Sequence, residues 1–319
     1  MDRRDRRVWR AAPATLAAVV VFMVAAAVPV PLLAYLIWSD NRGWMTPALL
    51  ATLSAVALGY AWRFGLHPRL RADPSGVTVV NPFSTTRFAW EDIRVIAPGE
   101  NGLVLATPDA RAEAWCIQKS NTAARKGRLT RADRITRELF ELLEEHDPPL
   151  EDEQTGLQIR RAHSDESRML TRLERAASEE ALSDLFPADR YPYPVAEVTR
   201  RWRRLLRNPR IRVAVLEKDG EPVGFVAFDS STVLHLGVLP DHTRRGYGTS
   251  LLEVATTAIF DDGAPSAGLW VLEGNAAARA FYRSSGWTET GERRDCEFPP
   301  APKELRLERR NPAAPRRGR

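Results

Sequence analysis

The chain of 319 residues has little cysteine, since Cys116 and Cys296 are its only two. A disulfide framework or a cysteine-rich metal cluster is therefore excluded, and we expect no metal cofactor. Charged residues make up 27% of the sequence and hydrophobic residues 44%. These proportions exclude a wholly disordered chain, a collagen-like chain and a membrane protein that consists mostly of spanning helices. The length predicts at least two folded units.

The net charge of +5 lies largely in arginines at the two ends of the chain. A surface that reads nucleic acid would instead interleave basic and aromatic residues on one folded face. We therefore do not expect nucleic acid as a partner. Residues 1–10 and 311–319 are interpreted as basic tails, the first of them cytoplasmic.

Two uncharged runs follow the first basic segment, at residues 11–39 and 43–62. Each reaches the length of about 20 residues that crosses a hydrocarbon core. Residues 11–63 are therefore predicted to form two transmembrane helices in a hairpin. The alternative is a cleaved signal peptide with a cleavage site near residues 25–27.

Residues that flank and interrupt these runs predict the geometry of the hairpin. Pro29 and Pro31 should kink the first helix, and Trp38, Trp44 and Trp62 stand where an aromatic belt would place them. Arginines precede the first run and follow the second, and arginine is costly to translocate. We therefore expect a multi-pass protein of the cell membrane with both termini in the cytoplasm.

Short apolar runs alternate with turn residues between residues 73 and 118, which predicts a small antiparallel sheet or barrel. Thr130 followed by Asp133 is typical of a capping box, and apolar residues come after it at helical spacing. A strand domain closed by one C-terminal helix is thus predicted at residues 70–146. Residues 147–156, which are rich in proline and acidic side chains, are predicted to be a linker.

The order of these elements resembles the bacterial pleckstrin-homology-like (PH-like) domains, and the segments at residues 76–79 and 90–93 look like theirs. The resemblance implies a module that can bind lipid headgroups or peptides. A structural spacer is the alternative, because a fold alone does not assign a role.

From residue 157 onwards predicted strands and helices alternate, which indicates an α/β domain at residues 157–310. One strand runs into a loop that contains Gly246 and Gly248, and an apolar-periodic helix follows. Glycines leave backbone N–H groups free to face an anion, and a helix N-terminus adds partial positive charge. The loop is therefore suited to a pyrophosphate, although a plain strand-to-helix turn has the same pattern.

A second motif lies downstream, where Asn275 begins a helix and Tyr282 follows about two turns later on the same face. Together with residues 238–248 and 269–271, this motif resembles the GNAT superfamily of acyl-CoA-dependent N-acyltransferases. The resemblance covers residues 157–310 and implies the α/β GNAT fold. The whole chain is thus expected to be multidomain, with a transmembrane helical hairpin, a small antiparallel β domain with a C-terminal helix, and a GNAT domain.

The resemblance also implies acetyl-CoA as the acyl donor and a primary amine as the acceptor. It assigns contacts with the donor to Leu236, Gly237, Val238, Arg244, Arg245, Gly246, Tyr247, Gly248, Thr249 and Asn275. It places Tyr282 near the thioester sulfur as general acid, and a phenol with a pKa of about 10 can protonate a departing thiolate. A core aromatic is the alternative role for Tyr282.

Two positions depart from the family pattern. Thr243 stands where members commonly carry Gln or Arg, so one contact to phosphate is missing. Thr232 stands where many members carry a glutamate that serves as general base. Glu273 and His235 are the candidates to replace it, directly or through water, with a structural role as the alternative for His235.

The function predicted from the sequence is a membrane-anchored, acetyl-CoA-dependent N-acetyltransferase, in which a primary amine of a small molecule or protein attacks the thioester directly. Residues 186–194, rich in Tyr and Pro, are predicted to form part of the acceptor site, or else a rigid surface turn. The alternative function is a GNAT fold of weak activity that serves as a CoA-binding sensor or as a membrane scaffold with the PH-like domain.

Overall fold

The computed structural model describes residues 7–27, 35–36, 45–118, 130–146, 150–152 and 156–314. The chain divides into two units, Met1–Asp147 and Pro148–Arg319. Buried apolar side chains form separate clusters within each unit, so each has a core of its own.

The first unit is built from two antiparallel sheets and a C-terminal helix. Its elements in chain order are β1 (Arg7–Trp9), α1 (Pro13–Ala27), α2 (Met45–Ala61), β2 (Arg69–Asp73), β3 (Gly76–Val80), β4 (Thr85–Phe88), β5 (Val95–Pro98), β6 (Leu103–Ala106), β7 (Arg111–Ala114) and α3 (Arg131–His146). Strands β1 to β4 form one sheet and β5 to β7 the other. A π-helical turn, Trp62–Leu66, directly follows α2.

The predicted transmembrane hairpin is wrong. Helix α1 has 15 residues and α2 has 17, which at 1.5 Å per residue is about 22 and 26 Å against a hydrocarbon core of about 30 Å. Within the described ranges, no helix combines the length and the apolarity that a membrane crossing requires. The expected multi-pass location in the cell membrane is therefore also wrong. Pro29, Pro31, Trp38 and Trp44 lie outside the described residues.

The end of the predicted basic tail is part of the fold, because Arg7–Trp9 form β1. This strand pairs antiparallel with β2, where Trp9 lies opposite Leu70. The indole N–H of Trp9 donates a hydrogen bond of 2.8 Å to the Glu138 carboxylate on α3. Helices α1 and α2 are therefore inserted between two neighbouring strands of one sheet.

Helix α3 begins as the sequence predicts. The Thr130 N–H donates to the Asp133 carboxylate at 2.7 Å, and the Asp133 N–H donates to the Thr130 hydroxyl at 3.2 Å, which confirms the capping box. The buried side chains of α3 join those of both sheets in one cluster. This cluster includes Leu70, Val77, Ile96, Leu105, Ile135 and Leu139.

The second unit contains one eight-stranded sheet with helices on both faces. Its elements in chain order are β8 (Leu150–Asp152), β9 (Leu157–Arg161), α4 (Ser167–Ser178), α5 (Val195–Leu205), β10 (Arg212–Lys218), β11 (Glu221–Phe228), β12 (Thr232–Val238), α6 (Tyr247–Asp261), β13 (Ser266–Leu272), α7 (Ala276–Ser284), β14 (Thr288–Asp295) and β15 (Lys303–Arg310). The strand order is β14-β15-β13-β12-β11-β10-β9-β8. Strands β12 and β13 form the parallel pair, and the other neighbouring strands are antiparallel.

Successive side chains of the central strands point to opposite faces of the sheet, so the core of this unit has two layers. On β10, Val213 and Val215 pack with α4 and α5, in a cluster that includes the fully buried Trp202. Leu216 packs in the second cluster with α6, which contributes the fully buried Leu251. The sheet is therefore covered on both faces, and it holds α6 and α7 on the side opposite α4 and α5.

Because β1 is a strand of the sheet, a substitution of Trp9 tests the fold of the first unit. We expect Trp9→Ala to lower the free energy of unfolding of this unit by about 2–3 kcal/mol, because it removes a partly buried ring and leaves the Glu138 carboxylate without its donor. The measurement is urea unfolding of the full chain followed by circular dichroism.

Val8→Ala is the matched control, because Val8 lies on the same strand with half of its surface exposed. It should change the free energy of unfolding by less than about 0.5 kcal/mol. Equal, small effects of the two substitutions would show that β1 does not contribute to the stability of the sheet.

Candidate functional site

The parallel strands β12 and β13 separate shortly after they meet. They pair only through Thr232 with Gly268 and Val233 with Leu269. Beyond this point the edge of β12 that faces β13 has no strand partner among the described residues. Backbone groups on that edge are therefore available to a ligand, since a strand edge presents regularly spaced N–H and C=O groups.

A β-bulge lies where the strands begin to separate. On β11, Ala227 lies opposite His235 and its neighbour Phe228 lies opposite Val233, so Leu234 is an extra residue on β12. A bulge bends its strand and increases the local twist. The bend occurs at the residue where pairing with β13 ends, and it accounts for the separation.

The loop after β12 leads directly into α6. Pro240–His242 form one 3-10 turn, and Arg244 and Gly246 then adopt positive φ angles of 58° and 88°. A glycine tolerates that angle without strain, whereas other residues rarely adopt it. Gly246 caps the helix that begins at Tyr247.

Successive backbone N–H groups of this loop have no hydrogen-bond acceptor among the described residues. No backbone amide of residues 244–249 finds an acceptor in the described part of the chain, and the first amide of α6 that does is Ser250, which donates to the Gly246 carbonyl at 3.0 Å. Arg244 and Arg245 are exposed and form no ion pair with any described carboxylate. Free amides, a helix N-terminus and two guanidinium groups together make an anion site.

A cavity of about 930 Å³ lies where the two strands diverge. Leu236, His235, Asn275 and Tyr282 line it, so the structure brings these predicted site residues together. Glu273 does not line the cavity, and its carboxylate pairs with Arg293 at 3.3 Å. The other predicted donor contacts, Gly237, Val238 and the residues of the 244–249 loop, lie outside the lining.

Tyr282 is buried on α7, with 8% of its surface exposed. Burial raises the pKa of its phenol to about 12, so the hydroxyl keeps its proton at neutral pH. Asn275 caps the same helix, because its side-chain oxygen accepts the Ala278 N–H at 3.0 Å. The predicted helix start at Asn275 is therefore confirmed. Its side-chain amide nitrogen has no acceptor in the described ranges of the chain, so it is available to a ligand.

His235 lies on β12, with its ring centroid 5.5 Å from that of Trp202. Burial, followed by the positive charges of Arg201 and Arg294, lowers the pKa of His235 to about 3. The imidazole is therefore neutral at neutral pH. A neutral imidazole can accept a hydrogen bond, but it is a weak base.

Sequence reasoning missed two ion pairs that line the cavity, one partly buried and one half exposed. The Glu174 carboxylate pairs with Arg201 and accepts the Trp202 indole N–H at 2.6 Å. The Glu304 carboxylate accepts the Arg294 Nε–H at 2.6 Å. Residues distant in sequence form the first pair. For the second pair, the sequence around Glu304 contained an indication, because charged residues alternate with leucines along residues 303–310.

Tyr193 reaches the cavity from the predicted acceptor segment, residues 186–194. Burial and the nearby Glu174 carboxylate raise the pKa of its phenol well above the usual value. Tyr191 lines the same cavity. The Tyr- and Pro-rich segment thus forms one wall of the site.

The opposite wall is the polar face of β13 and β15. The Arg294 guanidinium stacks on the Trp270 ring at 4.3 Å from its centroid, and that of Arg306 lies at 5.5 Å. Gly268 makes this arrangement possible, because a Cβ there would overlap the Arg306 guanidinium. This wall of the cavity therefore consists of guanidinium groups stacked on an aromatic ring.

The amino-acid sequence of the second unit matches a known family. Residues 175–287 match the model of the acetyltransferase (GNAT) family, and residues 67–115 match that of a bacterial PH domain. The C-terminal part of the chain therefore carries a GNAT acetyltransferase domain, and the first unit includes a bacterial PH domain segment.

Individual relatives are similar over part of their length. An N-acetyltransferase of Archaeoglobus fulgidus is 36% identical over 91 residues, which are 25% of this chain and 62% of that protein. The ribosomal protein bS18-alanine N-acetyltransferase of Escherichia coli K12 is 34% identical over 84 residues, 25% of this chain and 57% of that protein. The chain thus spans less than two thirds of these curated relatives.

The solved structure of the ribosomal-protein-S18-alanine N-acetyltransferase from Escherichia coli aligns with a TM-score of 0.40 and 19% identity. The alignment covers 51% of this chain and 99% of that one.

The environment of His235 predicts that its imidazole does not titrate in the ordinary range. In the unfolded chain it binds a proton below a pH of about 6.5, whereas in the folded chain it does so only near pH 3. Stability contributed by the neutral ring is therefore lost as pH falls through this interval. Imidazole NMR signals followed from pH 8 to 5 should show no titration of His235.

The spectrum of His235→Asn would assign the resonance by its loss. A His235 signal that titrates with a midpoint near pH 6.5 would contradict the neutral state of this half-buried ring.

Proposed function

We propose that the C-terminal unit is an acyltransferase that moves the acetyl group of acetyl-CoA to a primary amine. The observation that carries this proposal is the run of free backbone amides at residues 244–249, placed just after the open edge of β12. The amides, with Arg244 and Arg245, complement a pyrophosphate. The edge at residues 236–238 offers backbone partners to the amides of the pantetheine arm. The match of residues 175–287 to the acetyltransferase (GNAT) family supports the same proposed function.

Acetyl-CoA supplies an activated thioester, and the residues of the chain orient it and stabilise the charge that develops. Backbone N–H groups on the open edge of β12 would hold the thioester carbonyl and stabilise negative charge on its oxygen. The Tyr282 hydroxyl would donate a hydrogen bond to the sulfur. A phenol with a pKa of about 12 is a weaker acid than a thiol with a pKa of about 8.5. We therefore assign Tyr282 chiefly to hydrogen bonding of the thiolate as the C–S bond breaks.

The acceptor amine must be neutral to attack the carbonyl carbon. His235 would accept a hydrogen bond from the amine or from a water molecule, because its imidazole is neutral and lines the cavity. With a pKa of about 3, it would not retain the amine proton. The proton that the amine loses as the C–N bond forms would pass through water to the sulfur as the C–S bond breaks, so that coenzyme A leaves as the thiol. Glu273 is separated from the cavity lining, so any role as base would require water between it and the amine.

The cavity wall formed by residues 186–194 is the side from which we propose that the acceptor enters. Tyr191 and Tyr193 offer aromatic surface there. The Escherichia coli relative is named for an alanine of ribosomal protein bS18. Peptides that begin with alanine therefore belong in the first acceptor screen, beside small primary amines.

One observation favours a second function, a CoA-binding module without turnover. The partly buried carboxylates of Glu174 and Glu304 both pair with arginines, and His235 is neutral. A site that lacks an efficient base could bind the cofactor and transfer its acetyl group slowly or not at all. Binding of acetyl-CoA without acetylation of any amine in the screen would support this function.

Calorimetric titration of acetyl-CoA into the full chain tests the donor site. We expect micromolar binding that Gly246→Glu weakens at least about 100-fold, because the glutamate is strained at a φ of 88° and adds negative charge to the anion site. Absence of binding by the folded wild-type chain would overturn the proposed function.

Gly263→Glu is the matched control. Gly263 also has a φ of 88° and open space around its Cα, but it follows the opposite end of α6. This variant adds the same charge and the same backbone strain, so it should bind acetyl-CoA normally. Equal weakening in both variants would attribute the effect to strain rather than to the anion site.

Tyr282→Phe tests the hydrogen bond to the leaving sulfur. We expect kcat to fall by about 10- to 100-fold, the range for a lost hydrogen bond to a charged group. The dissociation constant of acetyl-CoA should stay within about twofold, since the ring that packs near Trp287 is retained.

The readout is release of free thiol with an alanine peptide or a small amine as acceptor. Tyr60→Phe, an exposed tyrosine of the first unit, should leave kcat unchanged. Full activity of Tyr282→Phe would show that the role of Tyr282 is purely structural.

A further inference from the structure

Helices α1 and α2 of the first unit contain no charged residue, and most of their described side chains are exposed. Helix α1 packs against α2 and against the π-helical turn that follows it. The contact at this turn is close, because a Cβ at Gly65 would overlap the Val19 side chain. The buried and half-buried side chains of α2 are Ser54, Ala57, Leu58 and Ala61. They lie on one side of the helix, since they follow one another at helical spacing.

Another side of α2 carries apolar side chains that are exposed. Leu49, Leu53, Val56 and Tyr60 each have between 54% and 63% of their surface exposed. Successive members are four, three and four residues apart, which is the spacing of the a and d positions of a coiled coil. At about 100° per residue the four side chains lie within an arc of about 60° on the helix surface. We call these four residues the outer stripe.

The exposed apolar surface of the two helices is large. Besides the outer stripe it includes Val20, Val21, Phe22 and Val24 of α1, each about half or more exposed. From these exposed fractions the eight side chains present roughly 800 Å², which is the area that one partner contributes to a standard protein interface. Monomeric soluble proteins rarely expose apolar patches larger than a few hundred square ångströms. Helices that are apolar on all sides are normally buried against other helices.

The apolar surface continues past the end of α2. The Tyr60 ring stacks on the Phe64 ring with 4.2 Å between centroids, and the Phe64 ring meets the Phe83 ring at 5.2 Å in an edge-on contact. Phe83 lies between β3 and β4 and has 74% of its surface exposed. These ring contacts connect the outer stripe to the sheet and fix its C-terminal end.

We propose that the outer stripe packs against the outer stripe of a second copy of this chain, so that the first unit forms a symmetric dimer. Identical stripes are self-complementary, because the same residues then occupy both sides of a two-fold interface. The a and d spacing lets each side chain enter a hole between side chains of the facing helix. Neither helix carries a charge that would select an oppositely charged partner.

Sedimentation velocity of the full chain in detergent-free buffer, over a series of concentrations, tests the dimer. We expect the wild-type chain to sediment as a dimer at micromolar concentration. Leu53→Lys and Val56→Lys should each weaken association at least about tenfold, because either lysine would place an unpaired charge in an apolar interface.

Ala55→Lys is the matched control. Ala55 is exposed on the same helix and lies about 200° around it from Leu53. The added lysine should therefore stay in water and leave the association constant unchanged. Thermal unfolding followed by circular dichroism verifies that each variant is folded. Equal weakening by all three substitutions would show that association does not depend on the outer stripe, and it would overturn the proposal.

Disulfide cross-linking tests the contact between the two stripes directly. Leu53→Cys and Val56→Cys, oxidised separately and as a mixture, should give a covalent dimer in at least one of these samples, because disulfide-linked Cα atoms lie within about 7 Å of each other. Ala55→Cys should give no more covalent dimer than the wild-type chain. A chain that is monomeric at every concentration would overturn the proposal. So would a monomeric chain that sediments with phosphatidylcholine vesicles, because that result would assign the outer stripe to a lipid surface.

Discussion

The short pairing between β12 and β13 is the constraint on which the site of the C-terminal unit depends. If the strands were paired along their full length, the backbone of residues 236–238 would be satisfied within the sheet and no cavity would lie between them. The extra residue Leu234 bends β12 at the point where pairing ends. The two strands are thus paired at residues 232–233, and the backbone at residues 236–238 is left open to a ligand.

Burial sets the charge of the side chains that face this opening. It keeps the proton on Tyr282 and keeps the proton off His235, so both groups are neutral at neutral pH. The carboxylates of Glu174 and Glu304 form ion pairs with Arg201 and Arg294. A cavity of this kind suits a reaction in which a neutral amine attacks a neutral thioester, and it places hydrogen-bond donors where negative charge develops.

Features encoded by neighbouring residues could be predicted from the sequence. The loop around Gly246, the start of α7 at Asn275 and the capping box of Thr130 and Asp133 each arise from a few consecutive residues. The pairing of Glu174 with Arg201 could not be predicted, because it depends on how α4 and α5 pack. The short strand β1 was missed for the same reason, since its partner β2 lies beyond both apolar helices. The membrane hairpin was wrong because the length of an uncharged run gives only the greatest length that an apolar helix can have. The described helices α1 and α2 are shorter than the two runs.

The anion site after β12 is inferred from a single physical criterion. An exposed arginine alone indicates little, because a solvated guanidinium needs no partner. At residues 244–249 the cations of Arg244 and Arg245 accompany backbone amides that have no acceptor in the described chain. These donors are held in a fixed arrangement at a cost in free energy that the described residues do not offset, and binding of an anion would offset it.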